Sequence, residues 1–134
     1  MITISVSTRK RMEFVDLTGR IRDIVREKGW ENGILTVYCP HTTAAITINE
    51  NADPDVRSDI IGHLASAIPH RASYAHMEGN SDAHIKSSLI GASEQIIVEQ
   101  GELMLGTWQG IFFCEFDGAR ERKVFVQFVP AGHE

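Results

Sequence analysis

Cysteine is nearly absent from this chain. Cys39 and Cys114 are the only two, too few for a disulfide framework, and no paired Cys-x-x-Cys offers a metal clamp. Both are expected to be buried core thiols, reduced in a cytosolic setting. Long apolar runs are missing as well. No stretch approaches the roughly 20 residues of a membrane span. The opening Met1-Ile2-Thr3-Ile4-Ser5 lacks the basic start and apolar run of a secretory signal. A cytoplasmic protein is expected. Basic charge is outnumbered, with 13 Lys and Arg against 18 Asp and Glu and a net charge of −5. That balance argues against a nucleic-acid partner, which needs a basic face. Repeats, low-complexity tracts and linkers are also lacking. The 134 residues therefore fit one domain, spanning 1–134.

What is present is enough apolar residue, 43%, to fold around one core. Ile2, Ile4 and Val6 alternate with polar residues, which predicts a half-buried strand from Ile2 to Thr8. Leu17, Ile21, Ile24, Val25 and Lys28 recur at helical spacing, with Asp16 or Thr18 to cap and Gly29 to end the helix. Ile34 to Cys39 reads as a buried strand stopped by Pro40, and Ala44 to Asn49 as another. Asp53-Pro54 opens a second helix striped by Val56, Ile60, Leu64 and Ile68. After a polar loop, Ser81 or Asp82 opens a short helix to Gly91, with Ile85 and Leu89 as its buried pair. Gln95–Gln100 and Leu103–Leu105 suggest a hairpin, and Trp108–Phe116 with Lys123–Val129 a second one around Asp117-Gly118. The fold class is α+β: antiparallel or mixed sheets packed with two main helices. Ile111, Phe112 and Phe113 put apolar groups on both faces of one strand, which its own chain or a neighbouring subunit must cover. An oligomer is expected.

The polar residues with chemical potential are scattered. His41 follows a strand end, and His76 and His84 bracket a Gly-Asn-Ser-Asp loop. Three neutral imidazoles with an open position suit zinc or a related divalent ion such as magnesium; packed or surface histidines are the plain alternative. His63 reads as structural, and His70 and His133 as surface. Glu50 and Asn51 precede the Asp53 cap and are not explained by it. Glu50 suits a general base or a partner orienting a metal-bound histidine, against a solvated loop carboxylate. Lys86, Ser87 and Ser88 share a short helix with His84 and suit a phosphate, against an ordinary polar helix face. Gly106 and Gly110 flank Trp108 and Gln109 and permit close backbone approach. Trp108, Phe112, Cys114 and Phe116 read as core, and Gln109, Glu115 and Asp117 as the opposite face. Arg120 and Arg122 suit a phosphate or a pairing with Glu115.

Four segments together are more specific than any one of these features: Pro40–Asp59, Tyr74–Ser93, Gly101–Ile111 and Glu115–Val124. They resemble the YjbQ-like family, described as secondary thiamine-phosphate synthases, over nearly the whole chain. The family's usual Asp-Gly-Pro-Arg has Ala119 in place of proline here. The resemblance implies a homotrimer with a pocket at or near subunit contacts, where His41, His76 and His84 converge on a metal or an anion. It implies coupling of a hydroxymethylpyrimidine pyrophosphate to a thiazole phosphate with release of pyrophosphate. Glu50 and Lys86 would then be catalytic, with Asn51, Ser87, Ser88, Gln109 and Arg120 binding the small phosphorylated substrate. The same residue types also suit a metal-dependent hydrolase of a small phosphorylated or amide substrate, or a non-catalytic oligomeric metal- or anion-binding protein.

Overall fold

The computed structural model describes residues 1–132; His133 lies outside them. β1 (Ile2–Ser7) buries Ile4 and Val6 on one side, as its alternation dictates. A short strand that the sequence reading missed follows, β2 (Glu13–Asp16). Helix α1 (Thr18–Lys28) ends on Gly29, whose φ of 62° is a left-handed conformation that glycine adopts without steric cost. Its start is held by Asp16, whose Oδ1 accepts from the Thr18 amide and hydroxyl at 2.9 and 2.6 Å. β3 (Gly33–Tyr38) and β4 (Ala44–Glu50) lie on either side of Pro40. α2 (Pro54–Ala67) starts where Asp53 accepts from the Asp55 amide at 2.9 Å. Then come α3 (Ser81–Ile90), β5 (Ser93–Glu99), β6 (Glu102–Leu103), β7 (Gln109–Glu115) and β8 (Glu121–Pro130).

Every strand pairing is antiparallel. One sheet has the order β1-β8-β3-β5-β6 and the other β2-β7-β4. β5 and β6 form the expected hairpin, turning through Gln100 and Gly101 at φ 51° and 76°. The second expected hairpin does not form. β7 pairs with β2 and β4, while β8 pairs with β1 and β3, so Asp117–Arg120 carries the chain from one sheet to the other. The cause is β7's apolar character on both faces. A partner strand supplies hydrogen bonds but covers neither face, so β7 must lie between two layers. Ile111 and Phe113 enter a core shared with the larger sheet and with Leu17, Ile21 and Val25. Phe112, Cys114 and Phe116 enter a second core under α2 and α3. The chain covers this strand itself, and a neighbouring subunit is not needed for that.

Three further expectations are corrected. On α3, Ile85 and Leu89 are exposed, while Asp82, Ala83, Lys86 and Ser87 are buried; the charged pair turns inward because it finds partners there. Trp108 is 62% exposed rather than core, since the strand begins one residue later. His63, read as structural, is exposed. No helix among the described residues is long and apolar enough to cross a membrane.

Both cysteines are free and buried, one in each core. Burial pushes the Cys39 thiol up to about 11, and Cys114 is raised well above its ordinary value by the same cause. The thiolate is the reactive form. Folded protein is therefore expected to take up no iodoacetamide at pH 8, and denatured protein to take up two equivalents; intact-mass spectrometry reads the difference, and rapid labelling of the folded chain would refute it.

Candidate functional site

α3 lies against the start of β4. The Ile46 amide donates to the Gly91 carbonyl at 3.1 Å, and Cys39 donates to Ala92 at 2.7 Å. This places His84 opposite the β3–β4 connection. His41, Thr42, Ala44, His84, Ser87, Ser88, Gly91 and Ala92 line a groove of about 470 Å³ there. The loop between α2 and α3 folds over its own cavity, also about 470 Å³, lined in part by His70, Arg71, Tyr74, His76 and Glu78. Its ends are tied by His70 Nε2 to the Gly79 carbonyl at 2.8 Å and by the Tyr74 hydroxyl donating to Pro69 at 2.6 Å. The His76 and His84 rings meet edge to face with centroids 5.4 Å apart. His76 lines one cavity and His84 the other, so the imidazole pair stands between the two. The Glu78 carboxylate lies 3.5 Å from His76 Nε2, where it can orient the ring.

His41 shares the groove with His84, but its Nε2 is engaged with the main chain of Lys123, 3.0 Å from the nitrogen and 3.2 Å from the oxygen. Burial, then the nearby Arg122 guanidinium, holds its pKa below the ordinary imidazole range. Among the described residues, no three of His, Cys, Asp and Glu are grouped to hold a metal ion. The side chains of one chain thus bring two imidazoles together, and the expected three-ligand cluster is not assembled.

Lys86, expected to be catalytic or to bind a phosphate, is buried at 1% exposure and donates to Asp82 Oδ2 at 2.7 Å. Asp82 also receives both terminal nitrogens of Arg11 at 3.0 Å. Burial alone would raise the Asp82 pKa; the hydrogen bonds from Arg11 and Lys86 overcome it and pull the group to about 2. Next to this triad, Asp117 receives Asn80 Nδ2 at 3.0 Å and the Arg120 guanidinium at 3.2 Å. Arg120 thus sits beside the start of α3, half-exposed and paired. Ser87 and Ser88 reach the groove, with their hydroxyls donating to carbonyls of Thr42 and His84.

Glu50, Asn51 and Gln109 lie at the other end of β4, where Glu50 pairs with Gln109. Six residue steps separate Ala44 from Glu50, about 20 Å of strand, so Glu50 cannot orient His41 of its own chain. Asn51 instead ties three segments: its amide donates to the Trp108 carbonyl at 3.0 Å and its Nδ2 to Asp16 at 3.2 Å. A Cβ on Gly110 would come within 2.5 Å of that side chain, which explains a glycine inside a strand. Gln109 Oε1 accepts from the Gly106 amide at 2.8 Å and closes the turn carrying Trp108.

Of the two partners that the sequence offers Arg122, the structure selects Glu115, and it adds Thr43, whose hydroxyl binds the guanidinium rather than only local backbone groups. Glu115 is fully buried and Arg122 is 4% exposed. Arg122 Nε donates to Glu115 at 2.8 Å and Nη2 to Thr43 Oγ1 at 2.8 Å, while Thr8 Oγ1 donates to Glu115 at 2.8 Å. The available signal was a charged residue at the inner end of each apolar strand flanking the Asp117 turn.

These segments define a family. The family model for UPF0047 protein YjbQ-like matches residues 2–131, and the chain belongs to that family. It is 54% identical over 124 residues to a UPF0047 protein of Methanocaldococcus jannaschii, covering 92% of this chain and 90% of that one. It is 49% identical to UPF0047 protein YugU of Bacillus subtilis, covering 95% and 97%. Among solved structures, an uncharacterized YjbQ/UPF0047 protein of Clostridium acetobutylicum superposes with a TM-score of 0.94 at 54% identity, over 96% of this chain and all of that one. A hypothetical protein of Aeropyrum pernix gives a TM-score of 0.93 at 37% identity, over 97% and 98%.

Proposed function

We propose that the chain is a cytoplasmic group-transfer enzyme of the thiamine-phosphate-synthase type, coupling a hydroxymethylpyrimidine pyrophosphate to a thiazole phosphate with release of pyrophosphate. The observation that carries this reading is the His76–His84 pair standing between two cavities of about 470 Å³ each. A coupling reaction needs two molecules to meet at one set of groups, and each cavity has room for a small heterocycle. The cavity on the loop side carries Arg71 and Tyr74, a cation for a phosphate and a ring for stacking. The His41 side carries hydroxyls and small residues.

A divalent ion fits this donor set with His76 and His84 as its two protein ligands, zinc before magnesium because both donors are imidazoles. When bound it would neutralise charge developing on the leaving pyrophosphate. That service matters because Lys86 is already neutralised by Asp82. A homotrimer is part of the proposal. The outer face of the larger sheet exposes Ile34, Ile97 and Val129, which are cross-strand neighbours. At the other end of the same face the Tyr38 and Phe125 rings stack at 6.4 Å. The middle of that face holds Thr36, Gln95 and Gln127, so a second copy can cover it without burying an unpaired charge.

Untagged protein is expected to carry about one zinc per chain after equilibration. His76→Ala and His84→Ala are each expected to lose it, and coupling turnover is expected to fall at least about 100-fold, the scale of losing a metal's contribution of several kcal/mol. Metal analysis with a coupled pyrophosphate assay reads both. Absence of turnover with both phosphorylated precursors and any supplied divalent ion refutes the transferase; release of phosphate or amine from a single substrate points to the hydrolase. Light scattering that returns a monomer mass refutes the trimer.

A further inference from the structure

β3 ends at Tyr38, paired with Phe125 of β8. Pro40 follows soon after and has no N–H to donate. Two residues before Phe125 on β8, Lys123 has no β3 partner, and the His41 ring occupies that place. Its Nε2 is 3.0 Å from the Lys123 amide nitrogen and 3.2 Å from the Lys123 oxygen. A neutral ring nitrogen either accepts or donates. Leaving an amide N–H without an acceptor is the costlier outcome, because a carbonyl tolerates under-satisfaction better. Nε2 therefore accepts from the Lys123 amide, and the ring proton is on Nδ1.

The surroundings keep the ring in that form. Arg122, next to Lys123, is 4% exposed and reaches across to Thr43, two residues beyond His41. Thr43 Oγ1 takes Arg122 Nη2 at 2.8 Å, and its carbonyl accepts from the Phe116 amide at 3.2 Å. Glu115 fixes the guanidinium from the far side. The loop is thus gripped by the side chain of one β8 residue and the main chain of the next. The charged groups around His41 are the Arg122 and Arg120 guanidiniums and the Glu115 carboxylate; the carboxylate is already paired, so it offers no counter-charge to a protonated ring.

We infer that His41 serves the groove as a neutral hydrogen-bond donor through Nδ1–H, to an anionic oxygen of the bound molecule, and that the buried Glu115–Arg122–Thr43 cluster is the positioning device that holds it so. This rests on reading the groove as the binding site. With Nε2 engaged, Nδ1 is the ring nitrogen left for a ligand, and a protonated Nδ1 has no lone pair for a metal. The Ser87 and Ser88 hydroxyls already donate to carbonyls, which makes the imidazole N–H the more available donor. A neutral imidazole donating to an oxyanion keeps its proton throughout, so it stabilises charge without needing to be recharged.

The test reads ring tautomer and ligand binding separately. In ring-nitrogen NMR of the native protein at pH 8, His41 is expected to show a protonated Nδ1 and a bare Nε2. Thr43→Val, which keeps the side-chain shape and removes only the hydroxyl, is expected to give a mixture of tautomers with the fold retained. Titration with inorganic pyrophosphate is expected to move the His41 Nδ1 resonance. His41→Asn, whose amide nitrogen stands near the Nδ1 position, is expected to keep pyrophosphate affinity within about threefold, and His41→Gln to lose about tenfold or more, the scale of a hydrogen bond to a charged group. A proton on Nε2 in the native protein overturns the assignment, as does a zinc-induced shift at a His41 nitrogen. An unchanged tautomer in Thr43→Val overturns the positioning role. Equal binding by the Asn and Gln variants overturns the donor role, whatever the turnover assay has shown.

Discussion

Asp82→Asn is expected to destabilise the fold by about 3–5 kcal/mol, the cost of breaking a buried ion cluster by removing one member. Asp82 is completely buried, and it is the carboxylate facing both Arg11 and Lys86. Without it, the Lys86 ammonium is left at 1% exposure with the Met12 sulfur at 3.5 Å as its other partner, and a thioether is a weak acceptor. Lys86→Met removes the stranded charge along with the ion pair. It is expected to cost less than Asp82→Asn, because Arg11 still neutralises the carboxylate. The ordering of the two variants in urea unfolding is the decisive observation: an Asp82→Asn protein within about 1 kcal/mol of native would mean that the cluster contributes little. Acid dependence gives an independent measure. The folded-state pKa of Asp82 is depressed from 3.8 to about 2. Its contribution, about 2 kcal/mol by linkage, is therefore present above pH 4 and lost as pH falls towards 2. The native protein should lose stability across that window more steeply than Asp82→Asn does.

The second large effect concerns β7. Phe112→Ala and Phe113→Ala are each expected to cost about 3–5 kcal/mol, the range for emptying an aromatic site in a packed core. Both rings are essentially inaccessible, at 1% and 0% exposure, yet they belong to separate cores. Neighbouring residues usually couple, but these two share no packing partners, so their costs should add within about 0.5 kcal/mol. A sum of about 6–10 kcal/mol takes most of a typical domain's stability, and the double variant is expected to be unfolded at 25 °C by circular dichroism. Strong coupling between the single variants would show that the two cores respond as one.

Much of this architecture was legible locally. The Asp53 cap, the Gly29 stop and the hairpin of β5 and β6, its turn one residue earlier than the expected Gly101-Glu102, depend on a few adjacent residues, so sequence carries most of the signal. Ile111–Phe113 was readable as a strand covered on both faces, but not as the reason that Asp117–Arg120 crosses between sheets; sequence neighbours look like a hairpin until the opposite layer is known. β2 was missed because four residues hold too little alternation. The candidate site was legible by residue type and less so by place. His41, His84, Ser87 and Ser88 do come together around one groove. Glu50, Asn51 and Gln109 gather at the opposite end of β4, because a strand keeps its ends apart however close they lie in sequence. The burial of Lys86 and Arg122 was not readable, since their partners Arg11, Asp82, Glu115 and Thr43 are distributed over the chain.

The order of strands in the larger sheet has a consequence for the chain as it is made. β8 sits between β1 and β3, yet it is the last of the described elements to leave the ribosome. Until it arrives, Ile4, Val6, Leu35 and Val37 have neither a central strand to hold them in register nor a closed layer to cover them. The nascent chain therefore carries two unpaired strand edges through nearly its whole synthesis, the condition under which chaperones are recruited and edge-to-edge association begins. Arrival of β8 pairs both edges at once and brings Arg122 to Thr43 and Lys123 to His41. The groove and the sheet are completed by the same late strand, so no chain released before that strand has the groove assembled as described.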